Sequence, residues 1–247
     1  MADYLAQPTP GDVRLHPEAA PRWLRPVLEG ITTGAVHGDL GDSARPRPNT
    51  YGKEAAVLML LSGVADAPAG GPAPDAQLLL THRTPTLRSH SGQIAFPGGK
   101  LDPEDAGPVA AALREATEET GLDPAAVTPL AHLDVVHVRS NGYPVHPILA
   151  HWPHPVPLST ASPAETDEVF QVPLRDLINP NNRFAIGWRG WSGPAFWARG
   201  YCVWGFTGGL ISSLIRGAGW EEEWDRSTVI DLNTALRQSR NQEKGYS

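Results

Sequence analysis

FPGGKLDPEDAGPVAAALREATEETGL, Phe96 to Leu122, is the stretch on which the reading of this chain turns. Pro97-Gly98-Gly99 is a loop signal, because glycine reaches backbone conformations that residues with a Cβ resist. Asp105 is placed to cap a helix, Pro108 fits a first helical turn, and Gly121 stands where a helix end favours glycine. Between these marks Val109, Leu113, Ala116 and Thr120 recur at helical spacing and make one face. At about 100° per residue, Glu115, Glu118 and Glu119 gather in an arc nearly opposite the Val109/Leu113 stripe.

Those three glutamates crowd one another. Glu115 and Glu119 are four residues apart, a spacing at which like charges destabilise a helix. Arg114 is set to pair with Glu118, in the less favourable order, and no cation follows any of the three by three or four residues. A divalent cation would relieve the crowding, since hard cations such as Mg²⁺ take carboxylate oxygens together with substrate phosphates. A solvated acidic face is the plainer account of the same pattern; the Gly-Gly loop and the unrelieved repulsion weigh against it.

The stretch resembles the signature of the Nudix hydrolases: Gly99, an acidic residue at Asp105, then Arg114, Glu115, Ala116, Glu118, Glu119, Gly121 and Leu122. Asp105 stands where most members carry glutamate, and the spacer before Arg114 is one residue longer than the common form. Both departures resemble the coenzyme A pyrophosphatase branch. Upstream, Leu79-Leu80-Thr81-His82-Arg83-Thr84 followed by Arg88, Gly92 and Phe96-Pro97-Gly98-Gly99 is similar to an extra motif of that branch, with Thr84 in place of the usual serine or alanine.

The resemblance implies an α/β fold, the Nudix-type α/β/α sandwich with a mixed β-sheet. It implies Mg²⁺- or Mn²⁺-dependent hydrolysis of the diphosphate of coenzyme A or acyl-CoA, to 3′,5′-ADP and 4′-phosphopantetheine or its acyl form. Under it Glu115, Glu118 and Glu119 hold metal, and Arg114 orients them. Arg83 and Arg88 meet substrate phosphates, and Gly98 and Gly99 let the loop approach. Two other readings stand beside this one: Nudix chemistry on ADP-ribose, NADH or a nucleoside triphosphate, and a non-catalytic nucleotide-sensing module. Glu165 and Glu168 are candidate general bases, since some Nudix enzymes draw one from a loop in that part of the fold. A Trp-Gly-apolar-Thr stretch, Trp204 to Thr207, also resembles the coenzyme A branch.

The rest of the chain agrees with a globular protein. Its 247 residues are enough for a sizeable core, and 40% hydrophobic with 19% charged residues is a folded composition. The net charge of −7 disfavours nucleic acid or an anionic membrane as partner, so an anionic small molecule needs local positive charge or metal at its site. The single cysteine, Cys202, excludes an internal disulfide and any cysteine-rich zinc site, and suits a reducing cytoplasm. MADYLAQPTPGD lacks the basic-then-apolar order of a signal peptide, and no run is long and apolar enough to span a membrane. A homodimer stays open.

Three regions are expected: a partly helical extension over 1–50, the Nudix domain over 51–238, and a flexible tail over 239–247. In the extension Glu18 to Leu28 reads as a short helix with Trp23, Leu24 and Val27 inward, and Arg45-Pro46-Arg47-Pro48 as extended linker. Strands are expected at Glu54–Leu61 and Ala76–Thr81, antiparallel to each other, then at Leu130–Val138, Val145–Ala150 and Val169–Val172. Leu174–Ile178 reads as a short helix, and Val203-Trp204-Gly205-Phe206-Thr207 opens a further helix through Ile215. Trp188, Trp191 and Trp197 fall in a hairpin-like region, placed either to pack a core or rim or to stack on an adenine. The nine histidines show no HExxH pattern and read as structural or surface residues. No Gly-x-Ser-x-Gly elbow or phosphate-loop Gly-Lys-Ser run is present, so nucleophilic catalysis is not indicated.

Overall fold

A central strand with apolar side chains on both faces organises the protein: Ala55–Ser62 (AAVLMLLS), in which Leu58, Met59, Leu60 and Leu61 are all buried. Such a run has no solvent face and must lie between two layers. The computed structural model describes residues 13–37, 53–64, 66–67, 70–138 and 142–244. Arg45–Pro48, expected to be linker, and Ser140-Asn141 of the expected turn lie outside them.

In chain order the main elements are α1 (Arg25–Thr32), β1 (Ala55–Ser62), β2 (Gln77–Arg83), β3 (Ile94–Ala95), β4 (Gly98–Lys100), α2 (Pro108–Thr120), β5 (Thr128–His132), β6 (Val136–His137), β7 (Pro144–Trp152), β8 (Thr166–Pro173) and α3 (Leu174–Ile178). They continue with β9 (Arg183–Trp188), β10 (Trp191–Ala198), β11 (Tyr201–Val203), α4 (Gly205–Gly217), β12 (Val229–Asp231) and α5 (Leu232–Gln238). The larger sheet runs β3-β2-β1-β7-β5, with β8 on β2, β4 on β1 and β6 on β7. It is mixed: β1 and β7 are parallel, while β1 meets β2 and β4 antiparallel. The smaller sheet runs β11-β10-β9-β12.

Alternation along the strands sorts two cores. Ala56, Leu58 and Leu60 of β1 join Leu79, Ile148, Ala150 and the apolar face of α2. Met59 and Leu61 point the other way, to Leu78, Leu80, α1 and α4. The main sheet thus lies between helix layers, the α/β/α sandwich with a mixed sheet that the sequence implies.

Several expectations hold in detail. β1 and β2 are antiparallel, α3 spans Leu174–Ile178 as read, and Trp188 pairs with Trp191 across the β9/β10 hairpin. Others are corrected. Leu130–Val138 is not one strand; β5 ends at His132 and β6 begins at Val136, with Leu133 bonded to Pro147 between them. The Gly98-Gly99 loop is itself a strand: β1 and β2 pair only through Leu61 and Ser62, and they part towards the other end of β1. The chain fills that gap by crossing from β2 at β3 to β1 at β4. Short-range signals read Pro97-Gly98-Gly99 as a loop because the partner strand is about forty residues away in sequence. Glu18–Leu28 divides into two short 3-10 turns before α1, with Trp23, Leu24 and Val27 buried as expected. The segment read as a loose tail is tied down as far as it is described: Asn241 is fully buried and bonds both backbone groups of Cys202.

Candidate active site

The site forms where α2 crosses the gap between β1 and β2. The helix starts at Gly107-Pro108 and ends at Gly121, whose left-handed φ of 70° any side chain would strain. Val109, Ala112, Leu113 and Ala116 hold it against β1, β4 and β7. Its C-terminal half then carries the three glutamates past β4.

Asp105 is not the helix cap; Gly107 occupies that position. Asp105 instead turns back to Arg114 and accepts a forked pair of bonds, Nε to Oδ1 and Nη2 to Oδ2, both 2.9 Å. The same guanidinium reaches Glu115 Oε1 at 3.1 Å, Glu118 at 3.3 Å and the Lys100 carbonyl at 3.0 Å. One planar cation thereby ties the β4 exit, the approach to α2 and two helix glutamates together. Arg114 holds the Asp105 carboxyl below its ordinary value, chiefly through those bonds. The guanidinium is in turn held more firmly charged, first by Asp105.

The glutamates sit at different depths. Glu118 is exposed, and Arg114 is its ion-pair partner. Glu115 is half-buried; burial, countered by Arg114, raises its carboxyl above the ordinary value. Glu119 is 3% exposed, which the helical wheel alone does not show, because Gly98 of β4 and Arg83 at the end of β2 lie against its carboxyl. Its Oε2 accepts from the Gly98 N–H at 3.1 Å and its Oε1 lies 3.8 Å from Arg83 Nη1. Burial pushes Glu119 up to about 7; Gly98 and Arg83 pull it back, and Glu115 and Glu165 add to the rise.

The adjacent glycines do different jobs. A Cβ on Gly98 would stand 2.3 Å from the Ala56 carbonyl oxygen and 2.7 Å from Val57 Cα, so the pairing of β4 with β1 demands glycine there. A Cβ on Gly99 would stand 2.4 Å from the Glu115 carboxyl and meets no backbone within its nearest contacts. Gly99 is a cradle for that carboxylate.

The structure thus gathers Glu115, Glu119, Arg114, Gly98, Gly99 and Arg83. Among the described residues Arg83 Nε is buried without a hydrogen-bond partner, and on the neighbouring strand the Thr166 hydroxyl, opposite Arg83, is likewise buried with none. Arg88 lies exposed on the 84–93 loop. Of the two candidate bases, Glu165 bears electrostatically on both Glu115 and Glu119. Glu168 turns to the opposite face, where it accepts from Tyr201 at 2.6 Å and Arg240 at 3.2 Å. The tryptophans read ambiguously in sequence pack: Trp197 stacks on Phe184, Trp191 tilts on Trp204, and Trp188 carries Arg189. Sequence reasoning missed the orphaned Thr166; no local signal marks it, since its neighbour Arg83 comes from a distant strand.

The donor chemistry fits a hard divalent cation. Two carboxylates whose ionisation burial opposes stand beside a third that is exposed, and all three offer oxygen. Among the described residues no three acidic, histidine or cysteine groups are already drawn together as a chelating set.

A diphosphate-cleaving hydrolase is the class that this helix, loop and carboxylate cluster define. The chain belongs to the Nudix hydrolases: the NUDIX domain model matches residues 70–189. An Escherichia coli K12 protein described as the uncharacterized Nudix hydrolase NudL is 41% identical over 145 residues, covering 57% of this chain and 74% of the relative. The NudL protein of Photorhabdus laumondii is 38% identical over 145 residues, 57% of this chain and 76% of that one. Among solved structures, the Nudix hydrolase RenU of M. smegmatis aligns with 24% identity and a TM-score of 0.40, over 50% of this chain and 72% of that one. The chain is therefore a Nudix pyrophosphohydrolase acting on small nucleoside diphosphate derivatives, in a family that generally uses divalent cations. No helix among the described residues is long and apolar enough to cross a membrane.

Proposed function

We propose that this enzyme hydrolyses the diphosphate of coenzyme A or acyl-CoA, giving 3′,5′-ADP and 4′-phosphopantetheine or its acyl form. The observation that carries this reading is the meeting of the two sequence motifs at one point: Arg83, from the upstream motif, faces Glu119, from the helix motif, at 3.8 Å. An arginine whose buried Nε has no hydrogen-bond partner among the described residues, beside metal-type carboxylates, suits a phosphate oxygen.

Glu115, Glu118 and Glu119 would hold Mg²⁺ or Mn²⁺, which when bound neutralises diphosphate oxygens and lowers the pKa of water. Arg114 keeps Glu115 and Glu118 in place and does not touch substrate. Arg83 and Arg88 receive phosphates, and Gly98 and Gly99 let the loop approach the site by coming close to β1 and to the Glu115 carboxylate. Glu165, facing the buried glutamates, accepts the proton of the attacking water. The water oxygen bonds to one phosphorus, the P–O bond to the bridging oxygen breaks, and that oxygen leaves as a phosphate. Positioning and charge stabilisation supply most of the acceleration.

The test incubates the protein with coenzyme A, ADP-ribose and NADH separately, each with Mg²⁺, Mn²⁺ or EDTA, and resolves products chromatographically. Metal-dependent release of 3′,5′-ADP from coenzyme A, faster than cleavage of the other two, is expected. Preferential cleavage of ADP-ribose or NADH would refute the coenzyme A assignment, and binding without turnover would favour a sensing module.

A further inference from the structure

Behind the 84–93 loop, on the sheet face away from α2, lies the C-terminal segment expected to be a flexible tail. The loop closes on itself at its base, where the Arg83 N–H donates to the Gln93 carbonyl and the Gly92 N–H to the Arg83 carbonyl, both at 2.9 Å. Its two end strands hold it there, and its apex carries Arg88. Arg83 faces Glu119 on one side of the sheet, while His82, one residue earlier, faces the other.

On that other side residues 240–243 cross the loop base as a strap. The Asn241 carbonyl accepts from His82 Nε2 at 2.9 Å, and His82 Nδ1 lies 2.5 Å from Asp167. The Asn241 side chain bonds the Cys202 N–H at 2.9 Å and its carbonyl at 3.0 Å, fixing the strap to β11. Glu243 accepts from Gln93 Nε2 at 2.7 Å and from Trp204 Nε1 at 3.1 Å. Gly92 explains itself here: a Cβ on it would fall 2.4 Å from the Asn241 carbonyl oxygen and 2.8 Å from Glu243 Cα. Its left-handed φ of 72° adds a second reason for glycine. The strap lies outside the 70–189 stretch that matches the NUDIX domain.

We propose that the 240–243 strap is a positioning element for the enzyme: by locking His82, Gly92 and Gln93 from behind, Asn241 and Glu243 set where Arg83 and Arg88 meet the substrate. This rests on the assignment of those two arginines to phosphate binding. It gives Gly92 and Gln93 a role that no contact with substrate is needed to explain. Glu243 is the key member, because it joins the loop base to Trp204 of the smaller-sheet region with a charged acceptor.

The test uses the full chain with Glu243→Ala, Gln93→Ala and the double variant, beside a chain ended after Arg240. Hydrogen exchange reads the loop directly, and steady-state hydrolysis of coenzyme A with Mg²⁺ reads its consequence. Loss of a bond to a charged acceptor should speed exchange across 84–93 by about tenfold while α2 is unchanged. It should also raise KM by about tenfold with kcat within about twofold, the signature of lost uniform binding. The double variant should fall short of the sum of the two single effects, because both remove the Gln93–Glu243 link. Unchanged exchange across 84–93 in Glu243→Ala would overturn the strap, whatever happens to coenzyme A. Faster exchange with unchanged KM would reduce it to a structural tie and overturn its positioning role. Faster exchange in an enzyme whose wild type ignores coenzyme A but cleaves ADP-ribose would refute the substrate reading alone, and KM for ADP-ribose would then carry the same test. The Glu243→Ala variant keeps the outcome readable should the truncated chain fail to fold.

Discussion

Substituting alanine at each of the two adjacent glycines should separate folding from catalysis. In Gly99→Ala the new methyl meets the Glu115 carboxyl at 2.4 Å, and ordinary contact needs about 3.4 Å, so the carboxyl must retreat by about 1 Å. That atom is the far end of a flexible side chain, and the retreat costs a rotamer adjustment of about 1 kcal/mol or less. Misplacing a catalytic group by about 1 Å costs on the order of 100-fold in rate. In Gly98→Ala the methyl meets Ala56 O at 2.3 Å and Val57 Cα at 2.7 Å, backbone atoms of a central strand that cannot yield singly. Overpacking of that kind costs about 3 kcal/mol, or a fall in melting temperature of about 9 °C for a chain of this size. The assay pairs thermal melts of the metal-free proteins with steady-state hydrolysis under saturating Mg²⁺. A Gly99→Ala protein that melts as low as Gly98→Ala, or that keeps wild-type turnover, would refute the cradle.

Glu119→Gln should abolish turnover and also remove a pH effect. The folded carboxyl titrates at about 7 against an ordinary 4.5, so the native state keeps a proton that the unfolded chain has released. The metal-free wild type should therefore lose on the order of 3 kcal/mol as pH rises from about 4.5 through about 7, and Glu119→Gln should not. Denaturant melts at pH 5 and pH 8 check this; parallel behaviour of the two proteins would sink it, and near-normal turnover at saturating Mg²⁺ would sink the metal-ligand assignment. Asp105→Ala should strip Arg114 of its forked partner, lower stability by about 2 kcal/mol and cut turnover by about tenfold, with Asp105→Glu recovering part of both. Equal activity in Asp105→Ala would show that Arg114 holds its glutamates unaided.

The linear chain already carried the site's ingredients. Phe96 to Leu122 contains a helix with start and stop marks, three clustered glutamates and an arginine among them, and local spacing fixes all of this because a helix relates residues three and four apart. The apolar run of β1, its antiparallel partner β2 and the short α3 were legible for the same reason: each is set by a period of two or 3.6 within a few residues. Tertiary structure decided everything that depends on which distant segment covers which face. Glu119 is buried and Glu118 exposed because β4 lies over one side of α2. Asp105 leaves the helix start to clamp Arg114. Glu165, just before β8, and Glu168, within it, diverge, so one bears electrostatically on the glutamates and the other meets Tyr201. The 239–244 segment looked like a tail because polar composition without periodicity leaves no local sign of burial. Its anchors, His82, Gln93, Cys202 and Trp204, come from distant parts of the chain, and only the folded sheet brings them within hydrogen-bond reach.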